Sequence, residues 1–150
     1  MEEDRTLSIA LGTDHAGYSY KEAIKQHLTL SGHQVVDCGT FSEESVDYPT
    51  FVRPAAEAVA DGKCDLGIVL GGSGNGEAMT ANKVKGVRCA LCWSIETAKL
   101  AKEHNNANVL SLGQRQISLE LALKIVDEWL GAKFEGGRHI KRIEMLDNPA

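Results

Sequence analysis

Short apolar runs alternate with longer segments of helical periodicity along the whole chain, and this alternation constrains the fold more than any other feature. The five apolar runs span residues 6–12, 34–38, 65–70, 87–92 and 108–112. The five helical segments span residues 18–30, 51–60, 77–84, 95–104 and 119–130. Strands this apolar need cover on both faces, which a parallel sheet joined by helices provides. The alternation therefore predicts the α/β class, with a single open, doubly wound parallel sheet in a Rossmann-like α/β/α sandwich.

The bulk properties of the chain narrow the class of function. Its 150 residues suit one domain over residues 1–150, and 43% apolar with 25% charged residues is an ordinary composition. A net charge of −5 argues against binding to nucleic acid or to an anionic membrane. The acidic start, MEEDRTLS, has no apolar secretory stretch, and no apolar run approaches the roughly 20 residues of a membrane span. We therefore expect a cytoplasmic protein.

The four cysteines are too few for a disulfide-rich scaffold in a chain of this length. Cys89 and Cys92 have the C-x-x-C spacing of metal and redox sites, but the sequence has no second such pair and no matching pair of histidines. They lie in VRCALCW, a segment typical of a buried strand. We interpret them as core residues and not as a functional pair.

Polar, chemically active stretches follow the first, third and fifth predicted strands. They are residues 12–17, residues 71–77 and residues 111–115. Ligands of open parallel sheets bind beyond the carboxyl ends of the strands, so these three stretches are expected to converge on one crevice.

The segment 71-GGSGNGE-77 is the most distinctive of the three, since four of its seven residues are glycine. Glycines let backbone N–H groups approach a ligand and form an anion-binding nest, which the start of the next helix reinforces. The loop does not fit nucleotide binding, because Glu77 and Ala78 stand where a phosphate loop needs Lys and Ser or Thr, and G-x-G-x-x-G is missing. A carboxylate here would also repel a bound polyphosphate.

A carboxylate and an anion-binding loop are both useful where a proton is removed beside a carbonyl group. Glu77 can act as the base, while backbone N–H groups and the Ser73 hydroxyl can stabilise the enediolate oxygen. The alternative is a plain strand-to-helix turn with Glu77 in the first helical turn, where carboxylates are favoured. Four glycines and an asparagine in six positions exceed what such a turn requires, so we favour the functional interpretation.

A set of short motifs spread along the chain matches one known family in consistent order. The motifs are 12-GTDHAG-17, 37-DCGT-40, 47-DYP-49, 71-GGSGNGE-77, 81-ANK-83, 104-HNNAN-108, 113-GQR-115 and 136-GGRHIKR-142. On these residues the chain resembles the type B ribose-5-phosphate isomerases, in the family that also includes galactose-6-phosphate isomerase subunits.

The resemblance implies an aldose–ketose isomerase with no metal and no cofactor. It would interconvert D-ribose 5-phosphate and D-ribulose 5-phosphate through a cis-enediolate, a step of the pentose phosphate pathway. The resemblance also implies a homodimer, or a higher oligomer, whose sites draw residues from both subunits. Two alternatives stay open. One is isomerisation of another sugar phosphate, a tetrulose 4-phosphate or a hexose 6-phosphate, and the other is a non-catalytic module that senses nucleotide or phosphate.

The family places its catalytic base in two ways. One branch uses a cysteine just before the glycine loop, where this chain has Gly71, and a second branch uses a glutamate at the loop's end, which Glu77 matches. The resemblance therefore implies Glu77 as the proton carrier between C2 and C1, with its pKa raised by partial burial. The implied anion hole comprises Gly72, Ser73, Gly74, Asn75 and Gly76.

Two further motifs carry implied substrate contacts. His104 matches the family's ring-opening residue, which moves a proton between the ring oxygen and the C1 hydroxyl, and Asn105 beside it is implied as a substrate contact. A polar residue at a helix end, interacting with the helix dipole, is the alternative for His104. Asp14 is implied to hold sugar hydroxyls or the ring oxygen and His15 to contact phosphate, although Asp14 is also a common helix cap.

The C-terminal residues 131–150 form a basic tail that fits no further strand–helix unit, and the resemblance implies that this tail completes the site. Arg138 and Arg142 are four residues apart, so a helical tail would place both on one face to bind a phosphate. His139 is an implied further contact, and Arg115 matches another phosphate residue, from the same or the partner subunit. The alternative is a solvated basic tail. Tyr48 in the DYP motif is left unassigned.

Overall fold

The computed structural model describes residues 5–149, so the acidic start at residues 1–4 and residue 150 lie outside the described part of the chain. A five-stranded sheet forms its centre. The strands are Ser8–Thr13 (β1), Gln34–Asp37 (β2), Leu66–Gly71 (β3), Cys89–Leu91 (β4) and Val109–Gly113 (β5). They pair in parallel in the order β2-β1-β3-β5-β4, which confirms the predicted open, doubly wound parallel sheet.

Six α-helices are present among the described residues. They are Tyr18–Leu30 (α1), Tyr48–Ala60 (α2), Asn75–Asn82 (α3), Ile95–Asn105 (α4), Leu119–Gly131 (α5) and Arg138–Asp147 (α6). A short 3₁₀ turn, His15–Gly17, joins β1 to α1. The five predicted helical segments are all confirmed, and their observed ends differ from the predicted ones by at most a few residues.

Two hydrophobic cores, one on each face of the sheet, hold the sandwich together. On one face α1, α4 and α5 pack against the strands, with Ile24, Ala98 and Trp129 fully buried. On the other face α2 and α3 pack through Val52 and Ala81. Because strand side chains alternate between the faces, neighbours on one strand enter different cores, as the fully apolar strands predicted.

The cysteine pair fits the core interpretation. Cys92 is buried in the first core and Cys89 packs partly against the second. Burial raises the pKa of the Cys92 thiol to about 11 and raises that of Cys89 further, so both stay protonated near neutral pH. All four cysteines are free.

The C-terminal region corrects one expectation. Residues 131–150 are not a simple tail, because α6 occupies Arg138–Asp147. Its start follows Gly136 and Gly137, both with positive φ, and only His139 of the helix is buried. At its other end Asp147 pairs with Arg88 Nη1 at 2.7 Å. The helix docks on the outside of the fold without an accompanying strand, so the strand–helix pattern gave no signal for it.

Within residues 5–149, no helix is long and apolar enough to cross a membrane.

Candidate active site

A cleft opens at the carboxyl ends of β1, β3 and β5, where an open parallel sheet is expected to bind its ligand. Its volume is about 400 Å³. The residues that line it are Asp14, His15, Ala16, Tyr48, Gly72, Ser73, Gly76, Glu77, Arg115 and Gln116. The predicted convergence of the three polar stretches is therefore confirmed, since each contributes to this lining.

Glu77 lies in the first turn of α3 and is 4% exposed. Its carboxylate occupies the space above Gly71, where any Cβ atom on residue 71 would collide with it. The missing side chain at position 71 therefore makes the room that the Glu77 carboxylate needs. A cysteine could not stand at position 71 while Glu77 keeps this position, so the geometry is compatible with the expected glutamate base.

Burial is the main reason that the pKa of Glu77 is raised above its ordinary value. The nearby Asp14 carboxylate raises the pKa further, and a hydrogen bond from the backbone N–H of Glu77 itself offsets part of the rise. A carboxyl group with a raised pKa is better suited to taking a proton from carbon and returning it near neutral pH.

The glycine loop is anchored to β5 through its carbonyl groups. The carbonyl oxygens of Gly71 and Gly72 accept from the N–H groups of Gln114 and Arg115 at 2.8 and 3.0 Å. The Gly74 carbonyl accepts from the buried Ser111 hydroxyl at 2.7 Å. In a trans peptide the N–H points opposite to the C=O, so the N–H groups that follow these carbonyls face away from β5.

Three glycines of the loop lie at positions of special backbone shape or close approach. Gly74 has φ +83°, a conformation that favours glycine, and precedes α3 directly. The Arg115 guanidinium lies close to Gly72, and the Tyr48 ring lies against Gly76. The loop therefore presents bare backbone to the cleft, with a cation at one side and an aromatic ring at the other.

Two more loop residues lie around this backbone. The Asn75 N–H donates to the Ser73 hydroxyl oxygen at 3.2 Å, and the Ser73 side chain is exposed on the cleft. Asn75 is the first residue of α3, and N–H groups in a first helical turn have no partner within the helix. The arrangement can place several donors around a negatively charged oxygen.

Asp14 and His15 also line the cleft. The Asp14 carboxylate accepts from the Ala16 N–H at 2.9 Å, so Asp14 caps the 3₁₀ turn and lines the cleft at once. His15 Nδ1 accepts from the Val46 N–H at 3.2 Å, which leaves the proton of a neutral ring on Nε2. The structure is therefore compatible with both roles considered for Asp14, a substrate contact and a cap.

Sequence reasoning missed two cleft residues. Tyr48 was left unassigned, and it lines the cleft because α2 begins at Tyr48, three residues before its predicted start. The DYP motif was the signal that could have placed it. Gln116 also lines the cleft, and no motif in the sequence singles it out.

The remaining predicted site residues lie at the other end of the sheet. His104 and Asn105 end α4, which runs back from the carboxyl end of β4. The Asn105 carbonyl accepts from Arg88 Nε at 3.1 Å, and Arg88 immediately precedes β4, at the amino ends of the strands. The length of β5, roughly 15 Å at the usual rise per residue, separates this end from the cleft.

His104 and His139 form a stacked pair at this end. Their ring centroids are 4.4 Å apart at an interplanar angle of 17°. Arg138 and Arg142 share the exposed side of α6. None of these four side chains, all within the described residues, lines the cleft that holds Glu77. The structure thus divides the predicted residues into two groups.

The open parallel sheet and the polar cleft at its carboxyl edge define an α/β protein with a site for a small, anionic ligand. Comparison with known proteins identifies the family within this class. The model of the ribose/galactose isomerase family matches residues 9–146. The chain therefore belongs to the ribose/galactose isomerase family.

Individual relatives agree with this assignment. Ribose-5-phosphate isomerase B of Mycobacterium leprae is 51% identical over 142 residues, which cover 93% of this chain and 88% of that protein. The solved ribose-5-phosphate isomerase B of Clostridium thermocellum has a TM-score of 0.92 at 48% identity, covering 93% of this chain and 95% of the other. That of Mycoplasma genitalium, solved with bound ribulose-5-phosphate, has a TM-score of 0.90 at 44% identity, covering 93% of each chain.

Proposed function

We propose that this isomerase interconverts D-ribose 5-phosphate and D-ribulose 5-phosphate through a cis-enediolate, without a metal or a cofactor. The observation that carries the proposal is the buried Glu77 carboxylate, which stands over Gly71 at the edge of a glycine loop in a polar cleft. The relatives named as type B ribose-5-phosphate isomerases, one with bound ribulose-5-phosphate, support the choice of substrate.

Glu77 takes the proton from C2 of the open-chain aldose. The electron pair of the broken C–H bond forms the C1–C2 double bond, and the former carbonyl oxygen at C1 gains negative charge. Glu77 then returns the proton to C1 as the electron pair moves back and a carbonyl forms at C2, which gives the ketose. A proton moves from the C2 hydroxyl to the C1 oxygen in the same sequence, so the isomerisation balances.

The glycine loop stabilises the enediolate oxygen. The backbone N–H groups around Gly72 and Gly74, together with the Ser73 hydroxyl, supply the donors, and each such donor is worth roughly 3 kcal/mol of barrier. They are already held in place by the bonds from the loop carbonyls to β5, so they need little reorganisation as charge develops. The Gly76 N–H extends this donor set into the first turn of α3, and the Asn75 N–H, which donates to the Ser73 hydroxyl oxygen at 3.2 Å, orients that hydroxyl.

The proposal includes a homodimer, because the two groups of site residues lie at opposite ends of one chain. The partner subunit's His104 would open the sugar ring, and the partner subunit's Asn105 would contact the sugar. Asp14 of the first subunit would hold the sugar hydroxyls. Two-fold symmetry would give each dimer two such sites.

The phosphate is assigned to positive side chains from both subunits. His15 and Arg115 line the cleft of one chain. The partner subunit's Arg138 and the partner subunit's Arg142 would approach from an exposed helical face, with the partner subunit's His139 beside them. A guanidinium fork suits a phosphate that carries roughly −1.5 to −2 charges. Binding energy from this remote group would align the reacting carbons with Glu77.

A cytoplasmic location belongs to the same proposal, since four free cysteines suit a reducing compartment.

The experiment is turnover in heavy water, followed by NMR, with four-, five- and six-carbon sugar phosphates offered in parallel. Deuterium should enter C2 of ribose 5-phosphate fastest, together with formation of ribulose 5-phosphate. Faster exchange into a tetrose or hexose phosphate would show that this other sugar phosphate, and not ribose 5-phosphate, is the substrate. Tight ATP binding without exchange into any sugar phosphate would instead indicate a phosphate-sensing module and overturn the proposal.

A further inference from the structure

Three side chains with metal-binding atoms converge at the amino end of the sheet. His104 lies in the last turn of α4, His139 lies in the first turn of α6, and Glu135 lies in the segment between α5 and α6. The imidazole nitrogens and the carboxylate oxygen that face one another all lie within 4.8 Å. Glu135 Oε1 is 3.7 Å from His104 Nε2 and 3.6 Å from His139 Nε2. These separations are longer than good hydrogen bonds.

The backbone holds this arrangement in place. The Glu135 N–H donates to the Glu103 carbonyl at 2.9 Å, which ties the segment before α6 to the last turn of α4. The His139 N–H donates to the Gly136 carbonyl at 3.2 Å. The two imidazole rings stack, so each limits the rotation of the other. The three side chains therefore converge because the main chain brings their elements together.

A second observation points to a ligand. The His139 side chain is only 10% exposed, and its Nε2 atom is buried with no hydrogen-bond partner among residues 5–149. Burying a polar nitrogen without a partner costs roughly 1–3 kcal/mol. The unpartnered atom is directed towards Glu135 and His104, so an ion bound between the three would satisfy it.

We propose that His104, Glu135 and His139 form a binding site for a divalent transition metal ion of the zinc class. Two imidazoles and one carboxylate are a ligand set that suits zinc, whereas magnesium and calcium prefer oxygen ligands. Ligand atoms about 2.0–2.1 Å from a tetrahedral zinc ion lie roughly 3.3 Å apart. The distances from Glu135 to the two imidazoles, 3.7 and 3.6 Å, are slightly longer than this, and the two imidazole nitrogens, which lie within 4.8 Å of each other, have to approach as the rings turn. The stacked rings would splay as they turn towards the ion. A fourth position stays open for water.

The effect on activity rests on the proposed function, in which His104 opens the sugar ring and His139 contacts the phosphate. An ion that engages both histidines removes them from the partner subunit's cleft. The metal is therefore an inhibitor of this isomerase and no part of its catalysis. Zinc would act without touching Glu77 or the glycine loop.

The binding experiment uses the full chain after chelator treatment. Zinc is titrated calorimetrically, and cobalt is added as a spectroscopic probe whose visible absorption reports its ligands. We expect one ion per chain, and Glu135→Gln and His139→Ala should each weaken binding by more than about tenfold, the scale for losing support around a metal. His27→Ala is the matched control, because His27 pairs with Asp127 between α1 and α5. Its affinity should equal that of the wild type.

The absence of zinc binding to the wild type, or unchanged affinity in either site variant, would overturn the metal site. Isomerase assays separate this from failure of the proposed function. Zinc should slow ribose 5-phosphate turnover by the wild type, and Glu135→Gln should reduce that sensitivity by the same factor as its loss of affinity. Zinc binding by a chain that turns over no sugar phosphate would support the site and overturn the isomerase. Turnover of ribose 5-phosphate by a chain that binds no zinc would support the isomerase and overturn the metal site.

Discussion

The two ends of the sheet hold their polar side chains in different ways. At the carboxyl end the backbone does most of the positioning, since Gln114, Arg115 and Ser111 bind the loop carbonyls and Glu77 is buried over a glycine. At the amino end the backbone brings α4 and the segment before α6 together, but the side chains meet only by ring stacking and at distances beyond a good hydrogen bond, and the His104 side chain is 36% exposed. In the proposed dimer, the first end supplies the buried base of each site and the second supplies exposed side chains to the partner subunit's cleft.

The largest expected effect comes from removing the Glu77 carboxylate at the carboxyl end of the sheet. Glu77→Gln should slow deuterium exchange at C2 of ribose 5-phosphate by about 10³-fold, within the range for loss of a positioned base. Substrate affinity should survive, because the loop and the phosphate-binding side chains are untouched. Heavy-water NMR measures the first and calorimetry the second. Exchange at the wild-type rate would show that Glu77 is not the base that takes the proton from C2.

A smaller loss should follow from filling the space beneath the carboxylate. Gly71→Ala puts a Cβ atom where the Glu77 carboxylate lies, and displacement of a reacting group by about 1 Å costs roughly 10²-fold in rate. Gly131→Ala is the matched control, since nothing lies within 4 Å of a Cβ atom added there. Steady-state kinetics should show the loss in kcat for the first variant and no change for the second.

Substitutions at the amino end of the sheet should change the affinity for substrate more than the rate of the chemical step. Arg142→Ala should weaken binding of ribose 5-phosphate by about 1–3 kcal/mol, the scale for a lost charged hydrogen bond. Lys141→Ala removes the same charge from the same helix and should change affinity much less. Equal losses in the two variants would show that α6 contributes only a general positive potential.

The smallest expected effect concerns stability. The folded state raises the pKa of Glu77, so the unfolded chain loses this proton more easily and stability falls as the pH rises through both pKa values. Glu77→Gln removes that penalty and should raise the Tm at neutral pH. The gain should vanish below the ordinary carboxyl pKa, where Glu77 is protonated in both states. Calorimetric scans at several pH values check this, and a gain that grows on acidification would contradict it.

Much of the fold could be predicted from the alternation of apolar runs and helical segments in the sequence. The bounds of α1, residues 18–30, were predicted correctly from its helical periodicity, and Ser31 and Gly32 follow its last residue. Strand β4 is shorter than predicted, since this edge strand pairs only with β5. Helix α6 was missed as an element because it follows no strand, and its many charged residues were interpreted as a basic tail; only His139 of the helix is buried.

The site was predictable where its residues follow strands directly. Glu77 and Asp14 were found because they lie just beyond β3 and β1, at the edge where parallel strands end together. Glu135 was missed, since it belongs to no strand end and meets His104 only through the packing of α6 beside α4. The position of His104 at the opposite end from Glu77 follows from the direction of α4, which the alternation of strands and helices could have supplied.

Purified hybrid dimers offer the most direct test of the claim that the two ends meet across subunits. One subunit carries Glu77→Gln, the other carries His104→Ala, and two different tags isolate the hybrid. Each parent homodimer should be nearly inactive on ribose 5-phosphate. The hybrid should recover about half of the wild-type activity, because one of its two symmetry-related sites combines an intact Glu77 with an intact His104. A hybrid as inactive as its parents would contradict the account.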